Sequence, residues 1–168
     1  PCHQPRPESF MPRLAALLFV FIASLGTACA DEIRHLDLQP SRYADAREAL
    51  VDAIEGEGLV PSPPSRFGDM LRRTGPALEQ TGEVYTDAEV LHFCSARIAW
   101  QLARETPLNI AQCPLSMAIY TLPGEPDKVH LAWRTAIGNT PGALAANELL
   151  ERIARQVSDN AGRSNPGP

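Results

Sequence analysis

Three side chains carry the most reactive donors in this sequence: His92, Cys94 and Cys113. A thiolate is a soft nucleophile and metal ligand, and an imidazole suits zinc and copper. Two sulfurs and one nitrogen would therefore hold copper(I) or zinc with a fourth position open for metal transfer or redox chemistry. His92 and Cys94 stand two residues apart, and on a strand such positions share a face with Cα atoms about 6–7 Å apart. The same sulfurs could instead form a structural disulfide, cycle as a dithiol, or rest as inert buried thiols. Redox cycling has no CxxC spacing to place a thiol at a helix N-terminus and lower its pKa. His92 has a plainer use as a hydrogen-bonded core histidine.

Other reactive side chains have simpler explanations. Ser95 follows Cys94 directly, but no histidine and carboxylate accompany it, and capping of the next helix accounts for it. His130 falls on the strand face opposite Val129, Leu131 and Trp133 and reads as part of a polar face, as does His35. Asp37, Asp45, Glu48, Asp52, Glu55 and Glu57 cluster around the first helix, where carboxylates are ordinarily solvated, and no second group marks an acid of raised pKa. Trp100 and Trp133 read most simply as core or dimer-interface aromatics, with the lining of a ligand pocket as the alternative. No catalytic residue is assigned. No cofactor is expected beyond the copper or zinc that His92, Cys94 and Cys113 would suit.

The compartment decides what the sulfurs do. Met11-Pro-Arg13 precedes the apolar run Leu14–Leu25, and Ala28-Cys29-Ala30 supplies small residues for a signal peptidase, so residues 11–30 read as a signal peptide cleaved after Ala30. The apolar run is shorter than the roughly 20 residues that span a bilayer, so no stable membrane insertion is expected after cleavage. Lipidation at Cys29 is the rival reading, but Leu25 lies one position too far from the cysteine. Residues 1–10 open without methionine ahead of this signal and read as a start-site artefact. The expected location is the periplasm or the exterior, where disulfides form and only Cys94 and Cys113 of the four cysteines remain.

The 168 residues hold 15 Lys+Arg and 20 Asp+Glu; losing Arg6, Arg13 and Glu8 with residues 1–30 leaves 13 and 19, a net charge of −6. An acidic chain with a single lysine, Lys128, has no basic field for phosphates, which argues against nucleic acid. GxGxxG, GxxxxGK[ST], HExxH, GxSxG and CxxCH strings are all absent, so dinucleotide folds, zincins, hydrolases and attached haem have no local signature. The remaining partners are an unidentified periplasmic protein, a small ligand, or a second copy of the chain.

The elements that must position these residues follow from periodicity. Ile33, Leu36 and Leu38 make a short strand ending at Pro40. Ser41 would cap a helix carrying Tyr43, Ala46, Leu50 and Ile54 on one face, with Gly56 and Gly58 at its end. Leu59-Val60 opens a second strand that Pro61, Pro63 and Pro64 would make irregular or confine to an edge. Phe67 to Arg73 suggests a short helix, and Thr74 to Thr86 a loop. A strand from Ala88 to Cys94 leads into a helix from Ser95 that ends before Pro107. Leu115, Met117 and Ile119 pair through the turn Pro123–Asp127 with Val129, Leu131 and Trp133. Pro141 starts a helix whose stripe runs to Val157. One domain over 31–158 is expected, with residues 159–168 a disordered tail.

Glu89-Val-Leu-His-Phe-Cys-Ser95, Pro107-Leu-Asn-Ile-Ala-Gln-Cys-Pro-Leu115, Ala118-Ile-Tyr120 and Val129-His-Leu-Ala-Trp133 resemble the DUF302 domain, chiefly its exported members with Phe-Cys-Ser and Asn-Ile-x-x-Cys-Pro stretches. The resemblance spans roughly Tyr43 to Arg134. It implies a TBP-like α+β fold with an antiparallel sheet in β-α-β-β-β-β-α order, often dimeric, with an extra helix here between the third and fourth strands. It implies no activity, and His92 maps onto no family motif. In that antiparallel topology Cys94 ends one strand and Cys113 precedes its neighbour. The sulfurs then meet, whereas a parallel crossover would part them beyond the roughly 7 Å Cα separation that a disulfide tolerates. The bridge would close a loop of about 20 residues and stabilise by roughly 3 kcal/mol. The resulting expectation is a non-catalytic binding or accessory module with a Cys94/Cys113 disulfide, or else a thiol-redox or metal protein using His92, Cys94 and Cys113.

Overall fold

The computed structural model describes residues 33–39 and 41–163; the signal-peptide and start-site expectations lie outside them. Strand β1 (Ile33–Leu38) leads into helix α1 (Tyr43–Gly56), helix α2 (Phe67–Thr74) and strand β2 (Asp87–Phe93). Helix α3 (Ala96–Glu105), the hairpin of β3 (Leu115–Thr121) and β4 (Val129–Arg134), and helix α4 (Pro141–Arg163) complete the chain. Short 3₁₀-helices at Gly75–Leu78 and Pro107–Gln112 fill two of the connections. The strands form one antiparallel sheet in the order β1-β4-β3-β2.

Alternation sorts the two faces of the sheet. Leu38, Leu91, Phe93, Met117, Ile119 and Leu131 are buried against the helices. Helix α1 contributes Ala46, Leu50 and Ile54, and α4 contributes Leu150, Ile153 and Val157, all fully buried. Side chains at i and i+4 lie over one another on a helix, so these spacings make a continuous apolar stripe that docks on the sheet. At about 25 cal/mol per Å² of apolar area, each such side chain contributes on the order of 2 kcal/mol. Trp133 belongs to this core as expected.

Four expectations are corrected. The Leu59–Pro64 segment is not a strand, because three prolines remove ladder donors. It runs beside β2 and bonds only where an N–H remains, from Ser62 N to the His92 carbonyl (2.8 Å) and between Ser65 and Val90 in both directions (2.9 Å). The sheet thus has four strands, and the additional helix lies between the second and third. Helix α1 is capped at Arg42 rather than Ser41, which is buried and donates its N–H to the Asp127 carbonyl (3.0 Å), tying the start of α1 to the hairpin turn. Helix α4 continues past Ser158 to Arg163, because Ala161 adds one more buried turn to the stripe. The Gly75–Leu78 turn, finally, structures part of the expected Thr74–Thr86 loop.

Helix α2 sits apart from the other helices, at the β2 edge beside the opposite sheet face. Gly68 lets it approach closely: a Cβ there would lie 3.2 Å from the Ala88 nitrogen. This one-sided cover leaves the centre of that sheet face open.

Candidate functional site

The open sheet face is floored by small side chains. Antiparallel register aligns Val90, Ala118, Ala132 and His35 in a central row across the four strands. Ala88, Tyr120, His130 and Asp37 form the row on one side. On the other side His92 pairs with Ser116, and Arg134 with Ile33. Alanines flanked by taller residues make a trough of about 630 Å³, bounded by Phe67, Tyr85 and Tyr120 at one wall and by Ile33, Ala136 and Ile137 at the other. Such a volume falls in the range of small-molecule pockets. Periodicity alone gave no sign of it, since alternation marks these residues only as the less buried face.

The aromatic wall is ordered by contacts. Phe67 meets Tyr85 edge-on at 6.2 Å, Tyr85 meets Tyr120 edge-on at 5.2 Å, and Tyr120 stacks on the His130 ring at 4.8 Å. His130 is not the polar surface residue expected. It is buried, with Nδ1 2.8 Å from Asp37 Oδ1 and Nε2 3.0 Å from Glu125 Oε2. A histidine ring donates to both carboxylates at once only with a proton on each nitrogen. Lys128 Nζ adds a contact of 2.9 Å to Glu125 and one of 3.8 Å to Asp37. The hydrogen bond from Lys128 holds the Glu125 carboxyl below its ordinary range, while Lys128 is raised by the same bond. Burial, followed by Tyr85 and the nearby carboxylates, pushes the Tyr120 hydroxyl up. Every polar atom of the His130 ring is thus engaged within the protein, and the cluster buttresses Tyr120. The sequence signal was Glu125, Lys128 and His130 around one hairpin turn, opposite an aspartate on the neighbouring strand.

At the far end of the trough the structure brings Cys94 and Cys113 together. Cys94 is exposed and Cys113 half-buried, and their sulfurs are not bonded to each other here. The Cys113 thiol is pushed up by burial first, then by the charge of Cys94 and a hydrogen bond with it. The antiparallel topology that set β2 beside β3 is what makes them neighbours. His92 does not join them: its Nε2 lies 3.3 Å from Ser65 Oγ, and among the described residues no group of three His, Cys, Asp or Glu side chains is placed to hold a metal ion. Ala111, Gln112 and Pro114, on either side of Cys113, line the trough. Gln112 is itself fixed, donating to Asn109 Oδ1 (2.7 Å) and accepting from the Ile137 N–H (2.8 Å).

The remaining expectations divide. Ser95 stands at the N-cap of α3, but its hydroxyl makes no cap bond. Trp100 is 68% exposed with Arg104 over its ring, so it is not core. His35 is exposed. Of the acidic cluster, Asp37 pairs with His130, and Glu57 accepts from Arg152 (3.1 and 3.3 Å) and Gln156 (3.0 Å) on α4. No described helix is long and apolar enough to cross a membrane.

No protein-family model matches the sequence, and no curated protein is similar to it. Among solved structures, the crystal structure of an uncharacterized conserved DUF302 protein from Bacillus stearothermophilus is similar in fold. It has a TM-score of 0.52 and 16% identity, with 78% of this chain and 96% of that one covered. At that identity the likeness concerns architecture, which agrees with the antiparallel α+β fold that the DUF302 resemblance implies. The chain is a DUF302-like domain in fold, a four-stranded antiparallel sheet with helices over one face.

Proposed function

We propose that this chain is a small exported binding module with no chemistry of its own, that the trough on the open sheet face is its binding surface, and that Cys94 and Cys113 are bridged as a structural disulfide. The trough is the observation that carries the reading: about 630 Å³ over an alanine floor, walled by aromatic and aliphatic side chains. Binding sites are concave, mainly apolar and furnished with few polar groups. The polar cluster nearest to it is spent on itself, since both nitrogens of His130 face carboxylates. A bridge at Cys113 would pin the Ala111–Pro114 wall and, by closing a loop of about 20 residues, add roughly 3 kcal/mol.

A second reading, a dithiol that cycles between oxidised and reduced forms, is favoured by the exposure of Cys94 and by its closeness to Cys113. Two measurements decide. Protein exported to a bacterial periplasm should begin at Asp31, weigh two hydrogens less than the dithiol and resist alkylation until reduced. Thiols that alkylate at once, or a metal carried in the native mass, would overturn the structural bridge. In a screen of small apolar fragments, backbone amide shifts should gather on β3 and β4; shifts absent or scattered over the helices would overturn the binding surface.

A further inference from the structure

We propose that the outer face of α3 docks an acidic helix of another protein. Two carboxylates of that helix meet Arg97 and Arg104, and an apolar side chain between them packs on Trp100; the surface is separate from the trough and does not depend on it. The inner side of α3 is committed to the core through Ile98 and Leu102. Arg97, Trp100, Gln101 and Arg104 stand at i, i+3, i+4 and i+7, so they share the outer side. Together with Glu105 they line a shallow groove of about 370 Å³. Trp100 is 68% exposed there, and Leu108, just beyond the end of α3, is 82% exposed. Tryptophan and arginine are among the residue types that most often carry the energy of a protein interface.

The charge on this face has no partner. Elsewhere arginines are matched to carboxylates, as Arg47 is to Glu89 (2.6 Å) and Arg152 to Glu57 (3.1 Å). Among the described residues no ion pair engages Arg97 or Arg104; Arg104 lies over the Trp100 ring, 5.6 Å from its centre. The neighbouring Glu105 is turned inward, its Oε1 accepting the Gly142 N–H (2.7 Å). Two open guanidinium groups beside an exposed indole select a partner that is acidic and carries an apolar anchor. Spacing selects its conformation. Seven residues of helix set the Cα atoms of Arg97 and Arg104 about 10.5 Å apart, an interval that a facing helix repeats on one side. Same-face positions of an extended strand fall about 6.7 or 13 Å apart and miss it. A lipid surface would meet the whole chain, whose net charge is −5, whereas one helix meets only this face.

The test titrates the exported protein with two blocked helical peptides of alanine and glutamine, each of about 15 residues. One carries two glutamates seven residues apart with leucines between them on the same face; the other has glutamine in place of both glutamates. Backbone amide shifts are the readout. At low salt the glutamate peptide is expected to bind about fivefold more tightly, the sum of two exposed ion pairs, with shifts on residues 96–108 and an advantage that shrinks at about 0.5 M salt. Arg97→Gln should weaken the glutamate peptide about twofold and leave the other unchanged, and Trp100→Ala should weaken both about tenfold. Arg73→Gln, which removes an arginine of α2 that also lacks an ion pair among the described residues, should change neither; all three positions are exposed. Equal affinity of the two peptides, an equal loss with Arg73→Gln and Arg97→Gln, shifts gathered away from α3, or no binding of either peptide would overturn the proposal. Sedimentation with phosphatidylglycerol vesicles that Trp100→Ala abolishes and the glutamate peptide does not compete with would overturn it in favour of a membrane. A dimer of the chain that Arg97→Gln dissociates and the glutamate peptide does not would overturn it in favour of a second copy. The trough reading stands or falls separately, on fragment shifts over β3 and β4.

Discussion

His130 shows how little a residue's strand position says about its use. Facing away from the helices, it would ordinarily be solvated, yet it is only 7% exposed because Tyr120 stacks on its ring and Asp37 and Glu125 close on its two nitrogens. Replacing it with alanine leaves two carboxylates and Lys128 facing a gap and frees Tyr120. Losing a partner inside such a network costs about 1–3 kcal/mol, and the partial exposure of both carboxylates puts His130→Ala toward the lower half of that range. A lowered urea midpoint together with a changed near-ultraviolet tyrosine signal would bear this out. An unchanged midpoint would mean that the cluster is a surface ornament and the aromatic wall stands without it.

Among the elements, the junction of α3 and α4 is the most constrained. Glu105, the last residue of α3, accepts the Gly142 N–H at the first turn of α4 (2.7 Å), so a carboxylate meets the positive end of a 23-residue helix. A Cβ on Gly142 would lie 2.9 and 3.0 Å from the Glu105 oxygens and 3.0 Å from Leu102 Cδ2, and Leu102 is fully buried. Glu105→Ala should cost about 1 kcal/mol, as loss of a helix cap does. Gly142→Ala should also destabilise, although alanine is worth about 1 kcal/mol over glycine inside a helix. In the Glu105→Ala background the second substitution should cost less, and a double-mutant cycle on unfolding free energies measures that coupling. Additive effects would show that the two residues do not constrain each other.

Across the whole molecule, α1 is joined to α4 by packing and by one polar clamp at its C-terminal end. Hydrogen bonds from Arg152, chiefly, and Gln156 hold the Glu57 carboxyl below its ordinary range. A carboxyl of depressed pKa contributes stability above its unfolded value, near 4.3, and loses it as pH falls through the folded value. Arg152 is half-exposed, so the contribution is below about 1 kcal/mol. Glu57→Gln should therefore lower the urea midpoint at pH 7 and leave it nearly unchanged at pH 3. The same deficit at both pH values would assign the effect to packing. With α1 and α4 clamped over one face and α2 confined to the β2 edge, the opposite face has no helix over its centre, and the trough follows from that imbalance.

Much of this architecture was legible in the chain itself. The stripes Ala46–Leu50–Ile54 and Leu149–Ile153–Val157 and the alternation of Leu115, Met117 and Ile119 are local patterns, and burial of an apolar stripe enforces them wherever the helix or strand docks. The strand and helix boundaries of β1, α1, α3, β3 and β4 accordingly fall within a few residues of expectation. The meeting of Cys94 with Cys113 is expected from the antiparallel topology that the DUF302 resemblance implies, whereas the bend of the proline segment along β2, the burial of His130 and the alanine floor were decided only by tertiary structure. Each depends on which strand lies beside which and in what register: partners such as Asp37 and His130 are 93 residues apart and acquire meaning for one another only when β1 pairs with β4.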